Sequence, residues 1–295
     1  MDKVLIIILC CLSIGLRAQN ETLKVISYNI WNGFDFRKDV ERKNNVIDWF
    51  VDQKPDVIAL QELCGYTEEK LLEDAKKWGH NYVILFKDEC HSVGLTSVKP
   101  IVLKERVKEG LWHGMLHCET FGVDFFVVHL SPKDRDFRMK ESKIILSKIA
   151  SINNNSFMVL GDFNSQSPFD GDRDLDYPAA LNNKRISDLN DAKYNNLLDN
   201  EFDYSVMASF IASPLIDVTQ RFVKPEKRFT FPAKAKIEVY KSYVELEKDR
   251  RRIDFIMVSR ELAKKCTNSL VYNEEETALL SDHYPVMAEF ELNDQ

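Results

Sequence analysis

The chain has 295 residues, 44% of them hydrophobic and 29% charged, which is enough apolar material for a sizeable core and rules out a disordered or low-complexity chain. Its formal net charge of −7 excludes a general electrostatic attraction to polyphosphates. No Pro/Gly/Ser-rich linker or internal repeat divides the chain, so a single domain over residues 19–295 is expected.

The chain opens with Met1-Asp2-Lys3, an apolar run from Val4 to Leu16, and Arg17-Ala18-Gln19. This is the layout of a secretory signal, too short to span a bilayer comfortably. Cleavage after Ala18 is the expectation and a retained membrane anchor the alternative. The mature protein is then secreted or periplasmic, with a net charge of −8 (38 Lys and Arg against 46 Asp and Glu) and no further transmembrane segment. Four cysteines remain, Cys64, Cys90, Cys118 and Cys266. They allow three disulfide connectivities, among which the sequence does not choose. None has C-x-x-C spacing, which argues against zinc.

Along the chain, apolar runs of strand length end in polar clusters. Val25–Tyr28 runs into Asn29, Val57–Leu60 into Gln61-Glu62, and Phe125–Val128 into His129. Phe157–Leu160 runs into Gly161-Asp162-Phe163-Asn164, and Ile253–Val258 carries an inward acid, Asp254. Ser281-Asp282-His283 precedes the final run Pro285–Leu292. Amphipathic spacing predicts helices over Lys38–Gln53 and Phe137–Ile152. Leu111–Val128 reads as consecutive strands with a tight connection near Thr120–Gly122. The fold class that follows is α/β: two packed mixed sheets flanked by helices. A polar group at the end of a buried strand lies on the rim of its sheet, where several such ends can line one cleft.

Tyr28-Asn29, Leu60-Gln61-Glu62, His129-Leu130, Gly161-Asp162-Phe163-Asn164, Arg252-Ile253-Asp254-Phe255 and Ser281-Asp282-His283 together resemble the endonuclease/exonuclease/phosphatase superfamily, with its deoxyribonuclease I-like fold. The resemblance runs from about Leu23 to Leu292. It implies a four-layer α/β sandwich and a metal-dependent phosphoric ester hydrolase, with Glu62 and Asn29 as ligands to Mg²⁺ (Mn²⁺ or Ca²⁺ as alternatives) and Asp282 as a further contributor. It also implies that Asp254 orients His283 and that His129 is the general acid for the leaving oxygen.

Elementary chemistry points the same way. A phosphodiester repels anionic nucleophiles until a hard cation on oxygen ligands offsets its charge. Asp162 can orient or deprotonate water, and Asn164, two residues on, can donate to a phosphoryl oxygen from the same face if the strand stays extended. An Asx turn is the plainer reading of that pair. His283 can donate to an oxygen that gains charge in the transition state, more strongly if a carboxylate raises its pKa. Arg138 and Glu141, three apart on a helix face, could pair with each other.

Other signals carry less. Asp170, Asp172, Asp174 and Asp176 imitate a calcium loop, but Leu175 stands where the loop needs Gly and Leu181 where it needs Glu. His113 and His117 have helical metal spacing in a stretch that alternates like a strand, and Phe229-Thr230-Phe231-Pro232 is read as core. Arg221–Arg252 holds eleven Lys/Arg against five Asp/Glu and is either a solvated loop or a phosphate-facing flap. No aromatic-plus-basic stripe of the single-strand-binding kind is evident in the sequence.

The expected function is an exported phosphodiesterase or nuclease. Its alternatives are a sphingomyelinase-like or inositol-phosphatase-like hydrolase, and a binding protein on an inactive hydrolase scaffold. The expected partner is a phosphoester substrate, with no stable protein partner signalled.

Overall fold

A computed structural model describes residues 21–292; the expected leader, residues 1–18, lies outside them. The predicted strands form, and they sort into two six-stranded sheets. The first contains β1 (Thr22–Asn29), β2 (Val57–Gln61), β3 (Tyr82–Leu85) and β4 (Gly94–Ser97), together with the last two strands of the chain, β13 (Cys266–Val271) and β14 (Val286–Glu291). The second contains β5 (Val102–Val107), β6 (Met115–Thr120), β7 (Val123–His129), β8 (Phe157–Asp162), β11 (Ile216–Asp217) and β12 (Asp254–Val258), while β9 (Leu197–Leu198) and β10 (Glu201–Phe202) form a small ribbon. The spatial orders are β13-β14-β1-β2-β4-β3 and β11-β12-β8-β7-β6-β5. Among the described strands, only β1–β2 and β7–β8 pair in parallel. Each parallel pair is bridged by a crossover helix, as such a connection requires: α2 (Val40–Gln53), which follows the short segment α1 (Trp31–Arg37), and α4 (Arg135–Ala150); α3 (Glu68–Lys77) follows β2.

Strand alternation builds the layers. Leu23, Val25, Val57, Ala59, Phe125, Val127, Met158, Leu160, Ile256 and Val258 fill the space between the sheets. Ile26, Tyr28, Ile58 and Leu60 face outward onto Val46, Phe50 and Leu71 of α2 and α3. Phe126, Val128, Val159 and Met257 face outward onto Ile145 and Ile149 of α4 and onto Phe210 of the helix Ser205–Ala212. Each sheet is thus apolar on both faces, which is why its strands read as near-continuous hydrophobic runs. Burial of this many large side chains, each contributing roughly 1.5–3 kcal/mol, is the main drive for closing the sandwich.

The two predicted helices are present with small shifts at their ends. Asp39 caps α2 by accepting from the Arg42 N–H, and Asp134 caps α4 by accepting from the Phe137 N–H. The tight connection between β6 and β7 falls at Phe121-Gly122. Cys64 and Cys90 form a disulfide across 26 positions, and Cys118 and Cys266 are buried free thiols. Among the described residues, no helix is long and apolar enough to cross a membrane.

Candidate active site

The site follows from carrying the inward-facing period one step past the apolar layer. After Leu23, Val25 and Ser27 comes Asn29; after Phe125 and Val127 comes His129; after Met158 and Leu160 comes Asp162; and ahead of Ile256 and Val258 comes Asp254. His129, Asp162 and Asp254 are register partners on adjacent strands and stand side by side at the end of the second sheet. Asn29 faces them from the first sheet and joins the two, its Nδ2 donating to Asp162 Oδ2 and to Glu62 Oε1, each at 3.2 Å. Glu62 lies just past β2 at positive φ, which turns its carboxylate into the cleft, where Oε2 accepts from the Asn32 N–H at 2.7 Å. His283 enters from the loop before β14, held by its own N–H to Ser281 Oγ, which in turn donates to the Asn29 carbonyl at 2.7 Å. Its Nδ1 lies 2.9 Å from Asp254 Oδ2 and its Nε2 3.8 Å from Asp162 Oδ2.

The electrostatics of this layer are those of a site short of positive charge. Burial pushes the Asp162 carboxyl well above the ordinary carboxylate range, and the neighbouring Asp254 pushes it further, against the opposing pull of His283. Burial alone would depress His283, but the Asp254 carboxylate outweighs it and brings the imidazole up to about 10. Burial holds His129 well below the usual imidazole range, reinforced by His113, His283 and His91. His129 is therefore neutral at pH 7, with Nε2 3.5 Å from Asp162 Oδ2 and Nδ1 buried without a partner. As a general acid it must first gain a proton.

Donor chemistry fits a hard divalent ion. Ligand atoms of Asp162, Asp254 and His283 lie within 4.8 Å of one another. Asp254 Oδ1 is buried with no hydrogen-bond partner, and the oxygens of Glu62 and Asn29 line the adjoining wall. Buried oxygen ligands with so little cationic compensation suit a hard cation better than a soft one.

Three sequence expectations change. Asn164 does not share an extended face with Asp162: it sits in the left-handed region at φ 48°, its N–H bonds Asp162 Oδ1 at 2.8 Å, and its Nδ2 donates to the Leu130 carbonyl at 3.0 Å. The Asx turn is the local conformation, and the Asn164 amide braces the end of β7 through the Leu130 carbonyl. Asp282 is not among the groups that converge with Asp162 and Asp254, and its Oδ2 lies 2.9 Å from Lys236 Nζ, which pairs its charge. Arg138 and Glu141 do not hydrogen-bond each other. Glu141 instead accepts from the Ser131 and Trp112 N–H groups at 2.9 and 2.8 Å, and Arg138 Nη1 donates to the Ser131 carbonyl and to Asn196 Oδ1, so both fix the loop after His129.

The weaker signals also resolve. Asp170 is buried between Arg252 and Arg228, which ends the calcium-loop pattern. His117 pairs with Asp124 at 2.6 Å on the far face of β6, away from His113. Most cations of Arg221–Arg252 have a carboxylate partner, chiefly on acids outside the segment such as Asp170, Glu274 and Glu275; Lys236 and Arg251 border the site, Arg251 over the Phe231 ring at 4.7 Å. Phe231 is not simply core, since its ring lies 4.9 Å from that of His283. His113 was not expected here: its ring stacks on His129 at 4.2 Å. Only its proximity in sequence to the β6–β7 hairpin could have pointed to it.

Fold and site together define a phosphoric ester hydrolase. The chain belongs to the Endonuclease/Exonuclease/phosphatase family, whose model matches residues 26–283. No curated protein matches its sequence. Among solved structures it resembles an AP endonuclease from Archaeoglobus fulgidus (TM-score 0.65, 18% identity, 92% of this chain and 100% of that one). A 3'-5' exonuclease, NExo, from Neisseria meningitidis is similar at TM-score 0.64 and 18% identity, over 91% of this chain and 100% of that one. A humanized TDP2 from D. rerio follows at TM-score 0.56 and 16% identity, over 91% and 98%. At these identities the likeness is one of fold.

Proposed function

We propose that the protein is an exported, divalent-metal-dependent phosphodiesterase or nuclease. The observation that carries this reading is the buried Asp162–Asp254–His283 cluster joined through Asn29 to Glu62 across the seam of the sheets. A binding protein would gain nothing from burying carboxylates so sparingly compensated, since such burial costs several kcal/mol per charge. Nucleic-acid substrates are favoured by the solved relatives, which include the AP endonuclease and a NExo 3' phosphatase bound to a product DNA hairpin. Export is supported by the Cys64–Cys90 disulfide, which persists in oxidising compartments.

Glu62 and Asn29 would hold the ion, which when bound offsets the phosphate charge and polarises the P–O bonds. The chain's own groups do the rest. Asp162, with its raised proton affinity, takes the proton of the attacking water as the new P–O bond forms. The His283 imidazolium, fixed by Asp254, donates to a non-bridging oxygen as its charge grows. With phosphate bound, neutral His129 takes up a proton from solvent and passes it to the leaving oxygen as the old P–O bond breaks. Asp162 then releases its proton to solvent.

A purified-protein assay on DNA and on a bis-aryl phosphodiester, with sphingomyelin and inositol phosphates in parallel, tests the reading. Chelation is expected to abolish turnover, and His283→Ala to lower it at least ~10²-fold, the effect of removing one transition-state donor. Turnover that survives chelator, or that is unchanged in His283→Ala, refutes it. Turnover confined to sphingomyelin or inositol phosphates moves the substrate assignment.

A further inference from the structure

We infer that the cleft beside His129 is a nucleotide subsite, in which a base stacks on Trp112 and its flanking phosphates meet Lys133, Lys140 and Lys193. The inference rests on the phosphodiesterase reading and names the substrate class that the centre takes: an unpaired stretch of a polynucleotide.

The cleft has a volume of about 510 Å³ and lies between the loop before β6, the N-terminus of α4 and the segment around Lys193. That volume is within the range of ligand pockets. Trp112 is 45% exposed, whereas Trp49 and Trp78 are buried in the core at 7% and 8%. Its indole packs nearly at right angles to the Phe137 ring at 5.7 Å, and almost half of its surface stays open to solvent. Lys133 Nζ lies 5.8 Å from the Trp112 ring and 5.8 Å from the Tyr194 ring, midway between two aromatic walls.

Charge completes the pattern. Lys133, Lys140 and Lys193 have no carboxylate within ion-pair distance among the described residues, although many other lysines of the chain do. The two acids of the cleft are occupied: Asp134 caps α4 and Asp136 faces Arg135 at 3.3 Å. Three unpaired ammonium groups around an exposed indole match the alternation of base and phosphate along a strand, where stacking tolerates any base and lysines follow the backbone. The cleft is thus locally cationic within an acidic protein, three lysines against two engaged acids.

The cleft is also rigidly indexed to the chemistry. One carboxylate, Glu141, holds the N–H of Trp112 and the N–H of Ser131, two residues beyond His129. His113, next to Trp112, stacks on His129 itself. A base on Trp112 therefore fixes where its neighbouring phosphate meets the catalytic end of β7.

The test is a fluorescence titration of the full chain in chelator, so that nothing is cleaved, with an oligothymidylate of about ten nucleotides, a length matched to typical single-strand sites. Saturable quenching is expected for the unaltered protein. Trp112→Ala should lose that quenching and weaken binding, read by anisotropy of labelled oligonucleotide, about tenfold or more. Lys193→Glu, on an exposed position, should weaken binding and flatten its dependence on salt. Equal binding by Trp112→Ala overturns the proposal, as does the absence of oligonucleotide binding. A blue shift with phosphatidylglycerol vesicles but no response to oligonucleotide also overturns it, and would make Trp112 a membrane contact. No turnover is read, so the subsite and the catalytic reading fail separately: a chain that binds the oligonucleotide through Trp112 yet hydrolyses no phosphodiester keeps the first and loses the second.

Discussion

At the scale of the residue, the arrangement turns on one pair. Asp254 holds His283 protonated far into the alkaline range, against a burial that would otherwise discharge it. Asp254→Asn keeps the shape and removes the charge. Turnover is expected to fall by ~10²–10⁴-fold, the range set by a transition-state donor and by the orienting acid of a catalytic triad. Because the folded pKa of His283 is raised, its imidazolium persists as pH climbs and is lost only near the folded value. Without Asp254 that loss moves to lower pH, so the alkaline limb of kcat/KM against pH should shift downward. A limb that stays in place would show that His283 does not act as an imidazolium.

Much of this centre was legible in the sequence, because a period of two fixes which strand residues face the seam. Asn29, His129, Asp162 and Asp254 follow from that rule. What escaped was the geometry of residues just past strand ends. Asn164 leaves the strand through a left-handed turn, and the Asp282 charge is matched by Lys236, 46 positions earlier. Trp112, Lys133 and Lys193 meet only through the packing of loops far apart in sequence, so no linear stripe of aromatic and basic residues could be read.

At the scale of the element, β8 explains why its motif begins with glycine. Gly161 lies at φ +141°, and a Cβ there would stand 1.9 Å from the Val128 carbonyl oxygen of β7. The parallel β7–β8 pair, which sets His129 beside Asp162, thus admits no side chain at that point. Gly161→Ala is expected to destabilise the fold by about 1–3 kcal/mol, the usual cost of overpacking, and to depress kcat in the surviving folded fraction. Denaturant melts paired with active-site titration separate the two effects; wild-type stability together with wild-type kcat would contradict the constraint. A second element shows the same economy of space. At Gly33, in the left-handed α1, a Cβ would fall 2.2 Å from the Cys64 carbonyl oxygen, so the loop that carries Glu62 and the segment that bonds it are packed backbone to backbone.

At the scale of the whole molecule, two stability effects follow. The Cys64–Cys90 bridge closes a loop of 26 positions, which corresponds to about 2–4 kcal/mol. The Cys64→Ser/Cys90→Ser protein should lose that much in denaturant unfolding, and an unchanged midpoint would mean that packing alone orders the loop. His80 is the second. Burial brings its imidazole down to about 4, with its ring nitrogens engaged by Thr96 Oγ1 and the Pro55 carbonyl. Its folded pKa lies below the unfolded value near 6.5, so the unfolded chain binds the extra proton. The contribution of His80 to stability is full above pH 6.5, declines as pH falls, and levels off once the folded pKa is passed, about 3 kcal/mol lower. His80→Gln should melt with a shallower dependence on pH between 6.5 and 4; a parallel dependence would place the acid sensitivity elsewhere.

Neither half of the sandwich owns the chemistry. One sheet brings Asn29, Glu62 and His283, and the other brings His129, Asp162 and Asp254, so the centre exists only where two separately hydrogen-bonded ribbons are clamped face to face. The apolar filling between them acts as a spacer whose thickness sets the gap across which a phosphoryl group must be gripped. Trimming a methylene from Met158 or Leu160, deep in that filling and remote from any substrate, would let the jaws settle out of true. Catalysis would then fade while the protein still melted as one body.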